Sequence, residues 1–185
     1  MKRIFLNGLG PYINELSLLI ITGTLFTAFY YQLVLNEIPC PLCLLQRASI
    51  VLIGAGFLFN IQFGTSTRHF GMALVGCVVT AAVATRQVFL HILPQATGYG
   101  GRLLGLHLYT WTLVFAVAMM LCIAFALMQP EARPASSGRV PTLARRIVVL
   151  LFVSVVVMNL ASVFLECGLS QCVDNPVGYK WLDAW

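Results

Sequence analysis

The apolar residues of this 185-residue chain fall in five long runs separated by short polar segments. A run of about 20 apolar residues is long enough to cross a bilayer as a helix. The runs predict membrane-spanning helices over Leu16–Leu35, Leu42–Gln62, Gly71–Leu93, Leu106–Met128 and Ile147–Leu165. The pattern therefore predicts an all-α membrane protein, with a four-helix transmembrane bundle in residues 1–128 and a fifth transmembrane helix in residues 147–166.

The polar segments predict how the helices are connected. Asn36 to Pro41 form a short turn, and Pro41 suits the first turn of a helix, where its missing N–H costs nothing. Residues 129–146 are rich in proline, serine and glycine, which is typical of a flexible linker. The first run is too long for a removable signal peptide and lacks a cleavage site before Glu37. Residues 167–185 form a tail after the last run.

Composition supports the same class. Hydrophobic residues make up 59% of the chain and charged residues 9%, and the mean hydropathy is +0.90. These values differ strongly from the averages of soluble domains and indicate a single membrane domain. A net charge of +5 would favour a nucleic-acid partner in a soluble protein. Here loop topology explains it better, so no nucleic-acid partner is predicted.

The basic residues predict the orientation of the chain. One side of the membrane receives Lys2, Arg3, Arg68, Arg133, Arg139, Arg145 and Arg146. The other side receives Arg47, Arg86, Arg102 and Lys180, together with most of the acidic residues. The positive-inside rule then places the N-terminus and the 129–146 linker in the cytoplasm and the C-terminal tail outside. Five spans require the two termini to lie on opposite sides, as this assignment does.

The six cysteines separate into two classes on this topology. Cys40 and Cys43 lie at the outer surface, and Cys167 and Cys172 lie on the same side directly after the fifth span. The remaining two, Cys77 and Cys122, lie inside spans about 9 Å above the inner face and are predicted to be inert apolar thiols. Two close pairs facing one oxidising phase indicate electron transfer by thiol–disulfide exchange.

Arg47 strengthens the redox interpretation of the first pair. It follows Cys43 by four residues, so the two side chains share a helix face near the helix N-terminus. The partial positive charge of the helix terminus and the arginine charge both favour a thiolate. Burying an arginine in a membrane helix costs roughly 2.5–3.5 kcal/mol. Redox chemistry accounts for that cost better than an arginine that merely reaches the interface.

Two structural interpretations of the outer cysteines stay open at this point. They could form two disulfides that close short outer loops, or together they could hold a zinc ion. An oxidising compartment favours disulfides over the thiolates that zinc requires. A disulfide that closes only three or four residues removes little chain entropy, which argues against a purely structural role.

The sequence resembles the disulfide bond formation protein B (DsbB) family over roughly residues 12–128. The resemblance is carried by Pro39-Cys40-Pro41-Leu42-Cys43 with Arg47, by Arg86-Gln87, and by Gly105-Leu106-His107-Leu108-Tyr109-Thr110-Trp111. Members of this family are bacterial inner-membrane enzymes that reoxidise a periplasmic DsbA-like thioredoxin-fold oxidase. They pass the electrons to a membrane quinone, ubiquinone or menaquinone. The resemblance implies an active site on the periplasmic side of a multi-pass protein.

The resemblance also implies roles for single residues. Cys43 would contact the quinone ring as a thiolate, and Cys40 would exchange with the second cysteine pair. Arg47 would stabilise that thiolate and the negative charge that builds on the quinone oxygen, where a fixed cation is effective because the dielectric constant is low. Their position near the outer end of the third span, rather than the resemblance, makes Arg86 and His91 further candidate quinone contacts. The alternatives are a lipid-headgroup contact for Arg86 and a purely interfacial histidine at position 91.

The chain departs from the family in the position of its second pair. The usual location, the outer loop between the third and fourth spans, contains no cysteine over Pro94–Gly105. We hypothesise that the fifth span returns a replacement pair to the outer face, so that Cys167 and Cys172 receive electrons from the partner. The aromatic tail after Cys172 has the composition of an interfacial anchor, and a docking surface for the partner is the alternative.

Two other functions remain open from the sequence. A quinone or quinone-epoxide reductase of the vitamin K epoxide reductase type would draw electrons from an external dithiol, although the cysteine placement fits that class less well. A non-catalytic membrane adaptor would use both pairs as structural disulfides. Bound quinone and cycling cysteines would distinguish an enzyme from the adaptor.

Overall fold

The computed structural model describes residues 12–93, 98–128, 141–174, 176 and 178–181. Its helices are α1 (Ile13–Leu33), α2 (Pro41–Phe63), α3 (Thr67–Leu90), α4 (Leu108–Met128) and α5 (Thr142–Cys167). All five are long and apolar enough to cross a membrane, which confirms the predicted helical membrane fold. The only strands in the part of the chain described here are β1 (Arg102–Leu103) and β2 (Leu106–His107), which form an antiparallel hairpin between α3 and α4.

The observed helices differ from the predicted spans mainly at their ends. The helix α3 runs from Thr67 to Leu90 rather than from Gly71 to Leu93, and α5 begins at Thr142, inside the predicted linker. Helical hydrogen bonding continues past the apolar run, so the hydrophobic boundary does not mark the last helical residue. Several predicted features lie outside the described residues: Lys2, Arg3, Arg133, Arg139, Trp185, residues 129–140 of the linker and residues 94–97 of the outer loop.

The start of α2 is fixed by its own sequence. Cys40 occupies the N-cap, and its Sγ accepts a hydrogen bond from the Cys43 backbone N–H at 3.2 Å. Pro41 stands in the first turn, as the sequence predicts. The helix ends at Phe63 and is capped by Gly64, whose φ of +93° is a conformation that favours glycine. Local sequence therefore places the Cys-x-x-Cys pair at the positive end of a helix.

The helices pack in a simple order: α2 lies against α1 and α3, α3 lies against α4, and α5 lies against α1 and α2. The core contains fully buried apolar side chains from every helix: Leu18, Ile21, Leu25, Ile53, Phe57, Cys77, Ile123 and Val155. Outward faces expose large apolar side chains such as Leu121, Leu150 and Leu160, as expected for helices surrounded by lipid. Helix directions alternate, so the end of α1, the start of α2 and the end of α5 lie at one end of the bundle. Which end faces the cytoplasm stays a prediction from charge.

The opposite end of the bundle holds a separate polar cluster. Asn60 donates from Nδ2 to Asn14 Oδ1 at 3.2 Å, and its own Oδ1 accepts from the Ser66 backbone N–H at 3.0 Å. His69 Nδ1 lies 3.1 Å from the same Asn60 oxygen. These contacts join the start of α1 to the turn between α2 and α3. They satisfy polar groups that would otherwise be buried without partners.

The fifth helix packs against α2 at a glycine, Gly54. A Cβ atom at Gly54 would overlap the ring of Phe152 from α5. Because helices in a membrane associate through close packing, a small residue at this crossing allows the aromatic ring to enter. The Phe152 ring therefore occupies the space that a side chain at position 54 would need.

We expect Gly54→Leu to destabilise the protein by about 1–3 kcal/mol, the usual cost of overpacking a filled site. The measurement is the midpoint of thermal unfolding in detergent. Gly23→Leu on α1 is the matched control, since a Cβ atom there meets nothing within 4 Å. Equal losses in the two variants would show that α5 does not dock at Gly54.

Candidate active site

The first cysteine pair is a disulfide held at the start of α2. Cys40 and Cys43 are bonded, with Cα atoms 5.0 Å apart. Cys40 is buried and Cys43 is half-buried. From α3, Gln87 donates its Nε2 N–H groups toward both sulfurs, at 3.5 Å from Cys40 Sγ and 3.6 Å from Cys43 Sγ. The pair is thus oxidised, and it touches a fixed polar group.

The orientation of the Gln87 amide is set by a second glutamine. Gln46 of α2 donates from Nε2 to Gln87 Oε1 at 2.6 Å, and both side chains are buried. With its oxygen occupied in this way, Gln87 presents its N–H groups to the disulfide. A buried amide that donates to sulfur also stabilises the negative charge of a thiolate, because hydrogen bonds to a charged acceptor are stronger than neutral ones.

A cavity of about 340 Å³ opens beside Cys43. Its walls come from α1, α2 and α4 and are mostly apolar, including Leu25, Ile50, Leu108, Phe115 and Trp111. The side chains with polar groups that line the same space are Thr24, Thr27, Tyr31, Glu37, Cys43, Gln46, Arg47, Gln87, Tyr99, Tyr109 and Thr112. A mostly apolar cleft in which polar groups converge is the usual form of a small-molecule site.

The cysteine-free loop between α3 and α4 forms one side of this cavity. Leu104 and Gly105 connect β1 to β2 with φ values of +51° and +83°, as a two-residue hairpin turn of type I′ requires. Trp111 donates from Nε1 to the Leu103 carbonyl at 2.8 Å, which ties β1 to the first turn of α4. Residues 102–107 of the loop thus form a hairpin that is tied to α4.

Two further contacts tie this loop to the residues before α2. Glu37 accepts a hydrogen bond from the Gly101 backbone N–H at 2.7 Å, and Tyr99 donates from its hydroxyl to the Ile38 carbonyl at 2.7 Å. Burial raises the pKa of Tyr99, as do the carboxylates of Glu166 and Glu37, so the phenol remains a donor at neutral pH. These hydrogen bonds hold residues 99–107 against the cavity, and we call this segment the hairpin roof.

Arg47 is buried, and its guanidinium points toward α1. Nη1 donates to Gln32 Oε1 at 2.5 Å, Nη2 donates to the Ala28 carbonyl at 3.0 Å, and the guanidinium carbon lies 5.4 Å from the Phe29 ring centroid. The sequence predicts Arg47 beside Cys43, and both residues do line the cavity. The hydrogen bonds of Arg47 described here all go to α1 rather than to sulfur.

The fifth helix reaches this arginine through Gln32. Gln32 donates from Nε2 to Ser162 Oγ at 2.7 Å and to the Tyr179 hydroxyl at 3.0 Å. Glu166, one helical turn after Ser162, is buried and interacts electrostatically with Arg47. Sequence reasoning missed these residues. A buried polar side chain inside an apolar run is the signal that could have found Gln32, Ser162 and Glu166.

The second pair is also a disulfide. Cys167 is the last residue of α5 and is buried, while Cys172 is half-buried, and their Cα atoms are 4.8 Å apart. Gly168, with a φ of +64°, ends the helix and turns the chain. Both predicted pairs thus exist, at the same end of the bundle.

The tail after Cys172 folds back onto the end of α5. The Trp181 backbone N–H donates to the Leu165 carbonyl at 3.1 Å, and the Trp181 ring lies 5.1 Å from that of Phe164. Lys180 donates from Nζ to Ser170 Oγ at 2.6 Å. Trp181, one of the aromatic residues of the tail that the sequence predicts as an anchor or docking surface, therefore packs against α5.

The other two predicted quinone contacts lie outside the cavity lining. The Arg86 side chain is exposed on α3. His91 follows the end of α3, where Nδ1 lies 2.9 Å from the Gln87 carbonyl, and its ring stacks on Tyr109 at 5.5 Å. Tyr109 lines the cavity, so His91 packs against a lining residue without lining the cavity itself. Direct quinone contact by Arg86 or His91 stays a prediction.

The remaining two cysteines lie inside the helices, away from the two disulfides. Cys77 is buried on α3, Cys122 is half-buried on α4, and neither is in a disulfide. Among the residues that the structure describes, no group of three or more histidine, cysteine, aspartate or glutamate side chains is placed to hold a metal ion. The chemistry of this end of the bundle therefore rests on the two disulfides and the cavity.

Comparison with known proteins identifies relatives of the first half of the chain. The family model "Disulfide bond formation protein DsbB" matches residues 13–99. The chain is 42% identical over 85 residues to Disulfide bond formation protein B of Hahella chejuensis, covering 43% of this chain and 50% of the relative. It is 37% identical over 89 residues to the protein of that name from Marinobacter nauticus, covering 45% and 52%. No solved structure matches the chain.

These matches confirm the predicted family resemblance and also set its extent. The chain spans about half the length of the curated relatives it matches. The family match contains Cys40, Cys43, Arg47 and Gln87, together with α1, α2 and α3. It stops before α4, and Cys167 and Cys172 lie well beyond it. The second disulfide is therefore a feature of this chain outside the matched region.

Proposed function

We propose, from the premise that residues 13–99 are a DsbB-family region, that this membrane protein is a quinone-dependent thiol oxidase. It reoxidises a DsbA-like thioredoxin-fold partner through Cys167–Cys172 and then Cys40–Cys43. The observation that carries the proposal is a disulfide at a helix N-terminus whose half-buried member, Cys43, lines a mostly apolar cavity. The proposal includes a bacterial inner-membrane location with the active site on the periplasmic side.

The cavity has the properties that a quinone headgroup requires. It is apolar, holds about 340 Å³, and brings Arg47 and Gln87 to the same space as Cys43. A quinone bound there, ubiquinone or menaquinone, would accept two electrons and two protons from the Cys40/Cys43 dithiol. Arg47 would stabilise negative charge next to the cavity, where the low dielectric constant makes a fixed cation effective.

The exchange steps balance within the two disulfides. A thiolate of the partner attacks the Cys167–Cys172 bond, and the second thiol of the partner resolves the mixed disulfide, which leaves Cys167 and Cys172 reduced. One of these thiolates attacks Cys40 and releases Cys43 as a thiolate. The N-terminus of α2 and the Gln87 amide are placed to stabilise that leaving group. The other tail thiolate then attacks the tail sulfur of this mixed disulfide and displaces Cys40 as a thiolate. The tail disulfide re-forms, and Cys40 and Cys43 are left reduced.

The direction of electron flow follows from reduction potentials. DsbA-like oxidants have potentials of about −120 mV, so reoxidising them requires a stronger terminal acceptor. A lipid-soluble quinone beside a membrane thiolate supplies such an acceptor. The cavity is lined by the membrane helices α1, α2 and α4, so we expect a quinone to enter it from the bilayer.

The test is quinone reduction by the purified protein in detergent with a reduced thioredoxin-fold dithiol partner. We expect one quinone reduced for each partner disulfide formed, with a short-chain ubiquinone or a menaquinone analogue. Omission of quinone under anaerobic conditions is the control and should leave the partner reduced. Absence of quinone reduction with both acceptors would contradict the proposal and favour a non-catalytic adaptor with structural disulfides.

Gln87→Leu should slow quinone-dependent reoxidation of the Cys40/Cys43 dithiol by about tenfold. The variant removes the N–H donors to both sulfurs and leaves the Gln46 amide unpaired, a loss of about 1–3 kcal/mol. Single-turnover mixing of reduced protein with quinone measures this rate. Gln62→Leu, an exposed glutamine at the far end of α2, should react at the wild-type rate. Equal rates for both variants would exclude a role for Gln87.

A further inference from the structure

The last turn of α5 buries a carboxylate at the level of the candidate active site. Glu166 is only 6% exposed, and its Oε2 has no hydrogen-bond partner within the described parts of the chain. Burying a carboxylate is costly unless a cation or hydrogen bonds compensate for the lost hydration. A carboxyl group in this setting is either protonated or stabilised by a cation near it.

That cation is Arg47. The two side chains interact electrostatically, and Arg47 is itself buried on α2. Glu166 also acts on Tyr99, a residue of the loop that covers the cavity. Glu166 thus acts electrostatically on two residues that line the candidate quinone cavity, although it belongs to the helix outside the family match.

A second path connects α5 to the same arginine. Gln32 gives its N–H groups to Ser162 and Tyr179, so only its carbonyl oxygen faces Arg47. Rotation of the amide by half a turn would set N–H groups against the guanidinium and leave both hydroxyls without their donor. The residues of α5 and the tail therefore decide which end of Gln32 meets Arg47.

We propose that Glu166 is a positioning residue of the dithiol–quinone reaction: together with Ser162 and Tyr179 it holds Arg47 in place, so the fifth helix completes the active site. This inference rests on the proposed function, because it assumes that Arg47 stabilises negative charge in the dithiol–quinone reaction. Glu166 does not touch the reacting atoms. It acts through Arg47, by charge and by keeping the guanidinium in its network on α1.

The experiment compares Glu166→Gln with Glu15→Gln in steady-state quinone reduction. Both replacements keep the side-chain shape and remove a partly or fully buried carboxylate whose Oε2 lacks a hydrogen-bond partner, but Glu15 lies in the first turn of α1, at the opposite end of the bundle. We expect Glu166→Gln to lower kcat about tenfold, with KM for quinone changed less than twofold. Glu15→Gln should keep both constants. Glu166→Asp, which retains the charge, should recover most of kcat.

The Arg47→Gln background tests whether Glu166 acts through the arginine. There the Glu166→Gln replacement should change kcat less than twofold, since the group it positions is gone. If Glu166→Gln does not fold, Tyr179→Phe takes its place: it removes one hydroxyl that orients Gln32 and should lower kcat about threefold.

The outcomes separate the two proposals. A wild-type protein that reduces no quinone overturns the proposed function and this inference with it. A wild-type protein that turns over, with Glu166→Gln equal to Glu15→Gln, overturns the inference alone. The inference alone is also overturned if Glu166→Gln lowers kcat equally with and without Arg47. Where Tyr179→Phe is the variant used, a folded protein that keeps the wild-type kcat overturns the inference.

Discussion

Cys43→Ser is expected to abolish quinone-dependent oxidation of the dithiol partner, with a loss of more than about a thousandfold. Serine cannot form the disulfide with Cys40, so no oxidised form exists to receive electrons from Cys167 and Cys172. Its hydroxyl also does not ionise at neutral pH, so no thiolate remains in the wall of the cavity. Stopped-flow absorbance of the quinone during turnover measures the effect.

The controls use the cysteines that the mechanism does not need. Cys122→Ala and Cys77→Ser remove thiols that are not in disulfides, and both variants should stay within about twofold of the wild-type rate. Persistent turnover in Cys43→Ser would mean that the quinone is reduced elsewhere. That result would refute the assignment of Cys40–Cys43 as the pair next to the quinone.

The double replacement Cys167→Ser/Cys172→Ser is expected to separate the two halves of the reaction. Oxidation of the protein partner should fall more than about a hundredfold, because the disulfide that the partner attacks is gone. Reoxidation of Cys40 and Cys43 after chemical reduction should persist, because neither Cys167 nor Cys172 lines the cavity. The partner assay and the single-turnover quinone assay together measure both halves.

A matched variant distinguishes lost chemistry from a disturbed tail. Ser170→Ala removes the hydroxyl that Lys180 contacts at 2.6 Å but keeps the disulfide around it. It should oxidise the partner at close to the wild-type rate. Partner oxidation that survives in the double cysteine variant would show that the partner reaches Cys40–Cys43 directly, and Cys167–Cys172 would then be structural.

Properties that depend on local sequence were predictable. The length of an apolar run predicts a spanning helix, and Cys40 and Pro41 mark the start of α2 because capping and proline rules act within one turn. The pairing within each cysteine couple follows from the same short spacing. The start of α5 at Thr142 was not predicted, because a polar first turn carries no hydrophobic signal.

The contacts of Arg47 needed the folded chain. The spacing of Cys43 and Arg47 predicts a shared helix face, which is correct, but a long arginine side chain can reach a neighbouring helix. Only packing reveals that Gln32 of α1 is the group that it reaches. The glutamine pair beside the disulfide was missed for the same reason: the hydrogen bond from Gln46 to Gln87 joins residues 41 positions apart on two helices.

The hairpin roof was the least predictable element. The sequence shows that the loop lacks cysteine, but its turn residues, Leu104 and Gly105, are not the asparagine–glycine or aspartate–glycine pair that usually marks such a turn. Its order comes instead from contacts with Glu37, Ile38 and Trp111, which lie outside the turn.

The bond between Gln32 and Ser162 has a consequence for biogenesis. The two residues are 130 positions apart, so α1 and α2 are synthesised long before the helix that accepts a hydrogen bond from the Gln32 amide. During that interval Arg47 can already bond to α1, but the Gln32 N–H groups require water or an insertion chaperone as a temporary partner, because hydrocarbon offers them none. Insertion of α5 then ends that requirement. A ribosome-stalled chain that lacks α5 should be a preferred substrate of membrane quality-control proteases.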